Sequence, residues 1–261
     1  MNMAENTQVA VVLGVGPKNG LGAALCRRMS QEGLHVLVAG RTESSLSAVV
    51  EEVQSLGGDA SLCVADATSE QDIERLFEEA RSLGAISVAI YNAGNNFPGT
   101  IVDMDADYFE STWRVCCFGG FLFGREAVRS MQASGQASGQ ASGQASGQAS
   151  GGTLIFTGAS ASLRGRANFG AFNSAKGALR NLAQAMAKEY AEQGIHVGHV
   201  VIDGPINGDK ITEGFPAYAE RLGEGGMINL EQIAESFAYL YRQPPTAWTF
   251  ELDLRTSQER W

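Results

Sequence analysis

The feature that most constrains the fold of this chain is an alternation of short apolar runs with longer segments of helical period. The short runs are bounded by Gly, Asp or Asn, and the longer segments repeat apolar residues every three or four positions. Such an alternation is typical of parallel strands joined by crossover helices. We therefore predict an α/β fold, a Rossmann-type doubly wound sheet of seven mainly parallel strands with helices on both faces.

Seven apolar runs are predicted as strands and six longer segments as helices. The strands cover residues 8–15, 35–39, 60–64, 87–91, 153–157, 196–202 and 248–254. The helices cover residues 21–32, 43–56, 69–83, 107–131, 172–193 and 230–242. Because parallel α/β folds commonly reach 261 residues as one unit, we expect a single domain spanning residues 1–261.

One stretch interrupts this pattern. Residues 132–151 are five consecutive copies of Gln-Ala-Ser-Gly, without a large apolar side chain to bury. Burial therefore cannot offset the entropy lost when such a segment becomes ordered. Because surface loops accept extra length at small cost, we predict a flexible surface loop on the side remote from the carboxyl ends of the strands.

Composition narrows the classes of partner. The formal net charge of -10 gives a surface that repels phosphate backbones, so we expect no nucleic-acid partner. Cys26, Cys63, Cys116 and Cys117 lack the paired spacing of a zinc site and the density of a disulfide-rich secreted domain. Residues 1–7 do not resemble a secretory signal, and no apolar run approaches the roughly 20 residues that span a bilayer. We expect a cytoplasmic protein that binds no metal and no membrane.

A glycine-rich turn follows the first predicted strand and leads into the first helix. Glycines at such a turn let the backbone approach a pyrophosphate, and the helix N-terminus offers unpaired N–H groups with a positive dipole end. The turn predicts a dinucleotide site, although a glycine-rich turn can also be purely structural. The residues assigned to this site are Gly16, Lys18, Asn19, Gly20, Leu21 and Gly22.

The end of the second predicted strand favours NADP(H) over NAD(H). Folds specific for NAD usually place an acidic side chain there, whereas this chain has Arg41. The guanidinium group pairs well with a 2′-phosphate, and Lys18 would add a second positive charge nearby. The alternative is that Arg41 is a solvated loop residue.

The order of these and later motifs resembles the short-chain dehydrogenase/reductase family across nearly the whole chain. Each motif is weak alone, and their ordered spacing carries the resemblance. The family would use these residues to contact adenine, support the cofactor loop, hold the nicotinamide ribose and lie beside the carboxamide. The corresponding residues here are Asp66 with Ala67, Asn92 with Ala93 and Gly94, Lys176, and Gly204 with Ile206.

The predicted active site departs from that family. Members usually carry Tyr-x-x-x-Lys, whereas this chain has Phe172 four residues before Lys176, one helical turn away. The expected serine position holds Ala159, with Ser160 next to it. The expected asparagine position holds Cys116. Of the four catalytic positions that the resemblance implies, only the lysine is retained.

Two functions remain open from the sequence. The first is a reductase of a small carbonyl or activated C=C substrate, with Ser160, Asp203, Tyr91 or a water held by Lys176 as the proton donor. Each of these side chains also has a purely structural interpretation. The second is a non-catalytic NADP(H)-binding protein that senses redox state or partners an active subunit.

Three further expectations concern the surroundings of the site. Residues 207–227 resemble the mobile substrate lid of family members. The resemblance also implies a homodimer or homotetramer assembled through helices 107–131 and 172–193. We expect His35, His196 and His199 to be structural, because their spacing offers no metal site.

Overall fold

The computed structural model describes residues 7–137 and 151–259. One seven-stranded sheet collects strands from nearly the whole of this part of the chain. The strands are β1 Gln8–Leu13, β2 His35–Gly40, β3 Asp59–Val64, β4 Ala85–Tyr91, β5 Gly152–Ala159, β6 Ile195–Ile202 and β7 Glu251–Leu254. Their order in the sheet is β3-β2-β1-β4-β5-β6-β7. All six strand pairs are parallel, as the alternation of apolar and helical segments predicts.

Helices cover both faces of the sheet and complete two apolar cores. The helices of the described residues are α1 Leu21–Gln31, α2 Glu43–Ser55, α3 Glu70–Leu83, α4 Ala106–Trp113, α5 Gly119–Ala137, α6 Gly170–Tyr190, α7 Asp209–Thr212, α8 Pro216–Leu222 and α9 Leu230–Tyr241. One core packs side chains of the sheet against α1, α2 and α9, and the other packs them against α3, α5 and α6. The predicted Rossmann-type α/β fold is therefore confirmed.

Three helices begin at side chains that satisfy free backbone N–H groups. Ser69 accepts a hydrogen bond from the backbone N–H of Asp72 at the start of α3, and Asp105 does the same at the start of α4. Asn229 caps α9 through the N–H of Gln232, at 3.1 Å. Caps of this kind contribute about 1 kcal/mol each and define where the helix starts.

The long helix predicted over residues 107–131 is interrupted. A π-helical segment, Arg114–Phe118, separates α4 from α5. The fully buried Tyr91 of β4 donates its hydroxyl hydrogen to the Val115 carbonyl within this segment. A wider helical turn frees carbonyl groups for such side-chain partners, and π-helical turns are frequent at functional sites.

The predicted loop at residues 132–151 starts too early. Helix α5 continues to Ala137, with the Ser134 hydroxyl donating to the Ser130 carbonyl one turn before it at 3.1 Å. Alanine and glutamine are good helix formers, so the first repeat and part of the second extend an existing helix. Residues 138–150 lie outside the described residues, and Gly151 leads directly into β5.

The topology places the candidate site at the carboxyl ends of the strands. Strand order reverses between β1 and β4, the two strands that neighbour each other at the centre of the sheet. In doubly wound sheets a crevice opens where the order reverses, and ligands bind there. None of the described helices is long and apolar enough to cross a membrane.

Candidate active site

The turn after β1 is built by a close approach of two strands. Gly14 has φ +101°, and a Cβ at this position would lie 2.5 Å from the backbone nitrogen of Ala93. The side-chain amide of Asn92 donates to the Gly14 carbonyl at 3.0 Å, which holds β1 and β4 together at their carboxyl ends. Asn92 thus supports the glycine turn, in the place where the sequence predicts it.

The start of α1 is open to a ligand. A Cβ at Gly16 would meet nothing within 4 Å, whereas a Cβ at Gly22 would lie 2.7 Å from the Gly14 carbonyl oxygen. Gly22 therefore permits close packing of the helix on the strand, and Gly16 faces free space. Gly20 caps α1 without a side-chain hydrogen bond, so the N–H groups that begin at Leu21 keep their donors for an anion. These residues fit a pyrophosphate.

Arg41 follows β2 immediately beside this turn. A Cβ at Gly40 would lie 2.6 Å from the Val15 carbonyl oxygen, so the end of β2 contacts the glycine turn directly. Arg41 and Lys18 are both solvent-exposed. Neither side chain forms an ion pair with the described residues, so both charges remain available to an anionic ligand.

Asp66 and Ala67 follow β3 in a short turn. One carboxylate oxygen of Asp66 accepts hydrogen bonds from the backbone and the hydroxyl of Thr68, both at 2.8 Å. The Asp66 N–H donates to Asp72 at 2.9 Å, and this hydrogen bond is the main cause that lowers the pKa of Asp72. The predicted adenine contact stays a prediction, and the turn that would present it is well defined.

Lys176 is the centre of a buried cluster. Its ammonium group is almost fully buried and donates to the Thr157 carbonyl at the end of β5, at 2.7 Å. The Phe172 ring lies one turn earlier on α6, with its centroid 5.8 Å from the Lys176 nitrogen. Burial lowers the pKa of Lys176, with nearby Cys116 opposing this effect and Lys210 adding to it.

Gly94 and Cys116 complete this cluster. A Cβ at Gly94 would lie 3.6 Å from both the Cys116 sulfur and the Lys176 nitrogen, so the three residues converge. Cys116 is fully buried on the π-helical segment. The residues that the sequence groups as catalytic on α6 and after α4 are therefore brought together.

Ala159 and Ser160 lie at the carboxyl end of β5. The Ala159 N–H donates to the Ser162 hydroxyl at 3.1 Å. Ser160 opens a short 3₁₀ turn, Ser160–Ser162, whose first carbonyl accepts from the N–H groups of Leu163 and Arg164. Ser162 is buried next to the predicted serine position, and the sequence did not single it out.

Two of the candidate proton donors are already engaged. The Tyr91 hydroxyl donates to Val115, and burial raises the pKa of Tyr91 well above its usual value. Asp203 is buried after β6 and accepts from Arg164 at 2.8 and 3.0 Å, with Arg255 a further 3.7 Å contact. Because neither group faces free space, we remove both from the set of donors.

The segment 207–227 is joined at its base by a parallel β-bridge between Ile206 and Ile228. It contains α7 and α8, two short helices that the sequence did not predict. The Asp209 N–H donates to the Asn19 carbonyl at 3.1 Å, so the start of this segment contacts the glycine turn. The positive charge of Lys210 on α7 helps to lower the pKa of Lys176, and no motif in the sequence indicates Lys210.

The histidines make separate contacts. His35 lies against Asp59 and Ser61 at 2.8 and 2.9 Å, and His196 pairs with the Thr249 carbonyl at 2.9 Å. His199 contacts Glu251 at 3.0 Å. Over residues 7–137 and 151–259, no group of three or more His, Cys, Asp or Glu is arranged to hold a metal ion.

Comparison with known proteins agrees with this architecture. A family model described as short chain dehydrogenase matches residues 8–212. Glucose 1-dehydrogenase of Gluconobacter oxydans is 28% identical over 242 residues, which cover 90% of this chain and 86% of that protein. Versicolorin reductase of Emericella nidulans is 27% identical over 235 residues, with 89% and 81% covered.

Solved structures show the same fold. A short-chain dehydrogenase from Rhodopseudomonas palustris superposes with a TM-score of 0.76 at 32% identity, covering 96% of this chain and 99% of the other. An alcohol dehydrogenase from Thermococcus sibiricus complexed with 5-hydroxy-NADP gives 0.80 at 19% identity, covering 98% and 99%. The sheet and its glycine turn define a Rossmann-type α/β protein. The chain belongs to the short-chain dehydrogenase family of oxidoreductases.

Proposed function

We propose that this protein is an NADP(H)-dependent oxidoreductase in which Phe172 stands at the position of the family's catalytic tyrosine. Its substrate is a small carbonyl compound or an activated C=C compound. The observation that carries the proposal is a set of residues suited to a dinucleotide: an uncapped α1 N-terminus, free space at Gly16, and the buried Lys176 of α6 bonded to the Thr157 carbonyl of β5.

The preference for NADP(H) rests on charge. Arg41 and Lys18 are exposed cations beside the glycine turn, and the ion pairs of the described residues leave both unengaged. A 2′-phosphate carries about two negative charges, which the planar guanidinium group binds through paired hydrogen bonds. A protein of net charge -10 would otherwise repel such a ligand.

The chemistry divides between the cofactor and the chain. A bound nicotinamide supplies or accepts the hydride. The chain must orient the substrate and move one proton, and Phe172 has no hydroxyl for this task. Ser160 and a water held by Lys176 remain as proton carriers. A conjugated C=C bond would need less help than a ketone, because its reduction passes through a delocalised enolate.

A second function is favoured by a specific observation. Phe172, Ala159 and Cys116 offer neither a phenol, nor a hydroxyl, nor an amide at the positions where the family has them. Loss of a positioned general acid costs about a hundredfold to ten-thousandfold in rate. A non-catalytic NADP(H)-binding protein, acting as a redox sensor or as the partner of an active subunit, is the alternative.

Two measurements on purified protein test the proposal. Calorimetry with NADPH and NADH should give tight binding of NADPH and weaker binding of NADH. Mixing the protein with NADPH and a panel of ketones, quinones and enones should give turnover well above background. Tight NADPH binding without turnover on any substrate would favour the binding-only function, and absence of NADPH binding would contradict both.

We also propose that the protein forms a homo-oligomer through α4, α5 and α6. Phe109, Trp113 and Phe121 are large aromatic residues that remain about 40% exposed on or beside α4 and α5. Exposed aromatic patches of this kind mark association surfaces. Sedimentation equilibrium should report a dimer or tetramer, and Trp113→Glu should shift it towards monomer.

A further inference from the structure

His199 is a buried histidine with one unused nitrogen. His199 belongs to β6, and its side chain is fully buried. Its Nδ1 contacts a Glu251 carboxylate oxygen at 3.0 Å. Its Nε2 has no hydrogen-bond partner among the described residues. Burial lowers the pKa of His199 to about 4, against the raising effect of Glu251. At neutral pH the ring is therefore neutral, and a proton on Nδ1 leaves Nε2 as an acceptor.

The last three residues of β5 connect this histidine to the catalytic cluster. The Thr157 carbonyl accepts from Lys176 at 2.7 Å, and the Ala159 N–H donates to the Ser162 hydroxyl at 3.1 Å. Gly158, between them, contacts the His199 ring. Three consecutive residues at the end of β5 thus contact Lys176, His199 and Ser162 in turn.

Gly158 makes the imidazole and the Ser162 hydroxyl neighbours. A Cβ at Gly158 would lie 2.3 Å from His199 Nε2 and 3.1 Å from the Ser162 oxygen. The two atoms are consequently within the span of one bridging water molecule. Ser162 accepts a hydrogen bond from Ala159, and its own hydroxyl hydrogen remains available for donation towards His199.

Glu251 and the charges of α6 complete the surroundings of the ring. Arg180 binds both carboxylate oxygens of Glu251, at 2.6 and 2.9 Å. The charged groups facing His199 are Glu251 from β7 and Lys176 and Arg180 from α6. The Glu251 side chain is about one quarter exposed, so His199 Nδ1 is connected through this carboxylate to the protein surface.

We propose that Ser162, His199 and Glu251 form a proton relay that serves the active site in place of the missing tyrosine. The relay rests on the proposed oxidoreductase function. In the oxidising direction, the substrate hydroxyl passes its proton to Ser162, and the Ser162 hydroxyl proton moves through the bridging water to His199 Nε2. The hydrogen on the carbinol carbon leaves with its electron pair to the nicotinamide, and the C–O bond becomes C=O. The imidazolium so formed pairs with Glu251, and reduction returns the same proton.

His199→Asn tests the relay, because the asparagine amide keeps a donor for Glu251 and carries no titrating proton. With any substrate that the wild-type protein turns over, kcat should fall about a hundredfold at unchanged KM. Ser162→Ala should lower kcat comparably, and the double variant should be no slower than either single one.

His196→Asn is the matched control. His196 is also buried on β6, three residues earlier, and its ring pairs with a backbone carbonyl outside the site. It should retain wild-type kcat despite a similar loss of stability. Equal kcat in H199N and H196N overturns the relay while leaving the oxidoreductase function intact. A wild-type protein that binds NADPH and turns nothing over overturns the function and the relay together.

The tautomer of His199 gives a test that needs no substrate. With three histidines in the chain, ¹⁵N-labelled histidine spectra are assignable by comparison with H196N and H199N. The relay requires an unprotonated Nε2 and a protonated Nδ1 at pH 7. A proton on Nε2 at that pH overturns the relay, whatever the kinetics of the variants.

Discussion

The carboxyl ends of β1, β2 and β4, which we call the cofactor half, are organised differently from those of β5 and β6, the catalytic half. In the cofactor half, glycines let backbone segments pack in direct contact, as at Gly14, Gly22 and Gly40. In the catalytic half, buried charged and polar groups hold neighbouring segments together, as in the Arg164–Asp203 pair. Backbone contacts tolerate almost no substitution, whereas side-chain contacts change by single residues. A family can therefore keep its cofactor site while its proton chemistry changes.

The largest expected effect is the loss of stability caused by a substitution at Gly14, in the cofactor half. Gly14→Ala adds a Cβ 2.5 Å from a backbone nitrogen and at φ +101°, so we expect a loss of about 4 kcal/mol in the free energy of unfolding. Gly33→Ala is the control, because Gly33 also has positive φ, +80°, and a Cβ there meets nothing within 4 Å. It should lose about 1 kcal/mol in urea unfolding. Equal losses would show that the strand contact at Gly14 tolerates a side chain.

The next prediction adds a proton donor to the catalytic half. Phe172→Tyr should raise carbonyl reduction about a hundredfold, because the new hydroxyl would be a proton donor beside Lys176. The affinity for NADPH should stay unchanged, since the cofactor half is untouched. In the F172Y/K176M double variant the gain should vanish, because the lysine charge that favours the phenolate is lost. If F172Y leaves the rate unchanged, adding Ala159→Ser asks whether the serine position limits it.

Asp203→Asn probes the charges that hold the catalytic half. Asp203 is buried, and its removal leaves Arg164 and Arg255 without this carboxylate, so we expect a loss of about 2 kcal/mol in the free energy of unfolding. Glu235→Gln is the surface counterpart, since Glu235 also contacts two arginines, Arg28 and Arg242. It should lose less than the Asp203→Asn variant, and the loss should shrink with added salt. Similar losses in both variants would contradict a special role of the buried pair.

Arg41→Ala tests selectivity in the cofactor half. The dissociation constant for NADPH should rise about tenfold, as expected for one lost charge-assisted contact, and that for NADH should not change. Lys188→Ala removes an exposed charge near the end of α6 that is remote from Phe172, and it should leave both constants as they are. Isothermal titration calorimetry measures all of these values. A parallel loss of NADH affinity in R41A would contradict the assignment of Arg41 to the 2′-phosphate.

The smallest effect concerns pH. Burial lowers the pKa of His199 to about 4 in the folded protein, whereas an unfolded histidine titrates near pH 6.5. Between these values the unfolded state binds more protons, so the free energy of unfolding falls as the pH falls through this window. From pH 6 to pH 5 the wild-type protein should lose about 1 kcal/mol more than H199N. Parallel pH dependences would mean that His199 takes up its proton without unfolding.

The sequence predicted the fold because its signals are local. Each β-strand is an apolar run of its own, and the glycine turn, Arg41 and Lys176 lie at the strand ends or on the helix that their spacing requires. Strand β7 shows the limit. The apolar residues Trp248 and Phe250 suggested an earlier start than Glu251, yet they pack against the rings of His196 and His199. The sequence shows that a residue is apolar, and it does not show whether that residue belongs to a strand.

The parts of the site that escaped prediction depend on distant partners. Asp203 meets Arg164 across 39 positions, and His199 meets Glu251 across 52. The π-helical segment contains the Val115 carbonyl that accepts from Tyr91, a contact that no periodicity in the sequence indicates. Ser162 differs from Ser160, two residues earlier, in being buried and in accepting the Ala159 N–H, and the sequence shows neither difference. Such pairings need coordinates.

The β-bridge between Ile206 and Ile228 has a consequence for the segment between them. It brings the two ends of the intervening segment to adjacent backbone positions, with the Asn207 N–H donating to the Ile228 carbonyl at 2.9 Å and the Ile228 N–H to the Pro205 carbonyl at 2.8 Å. Residues 208–227 therefore leave and rejoin the body of the protein at one point, and the hydrogen bonds at that point come from the backbone. We expect a stretch of another length to join at the same two isoleucines if it keeps glycine at position 208, where a Cβ would lie 2.5 Å from the Asn19 carbonyl oxygen.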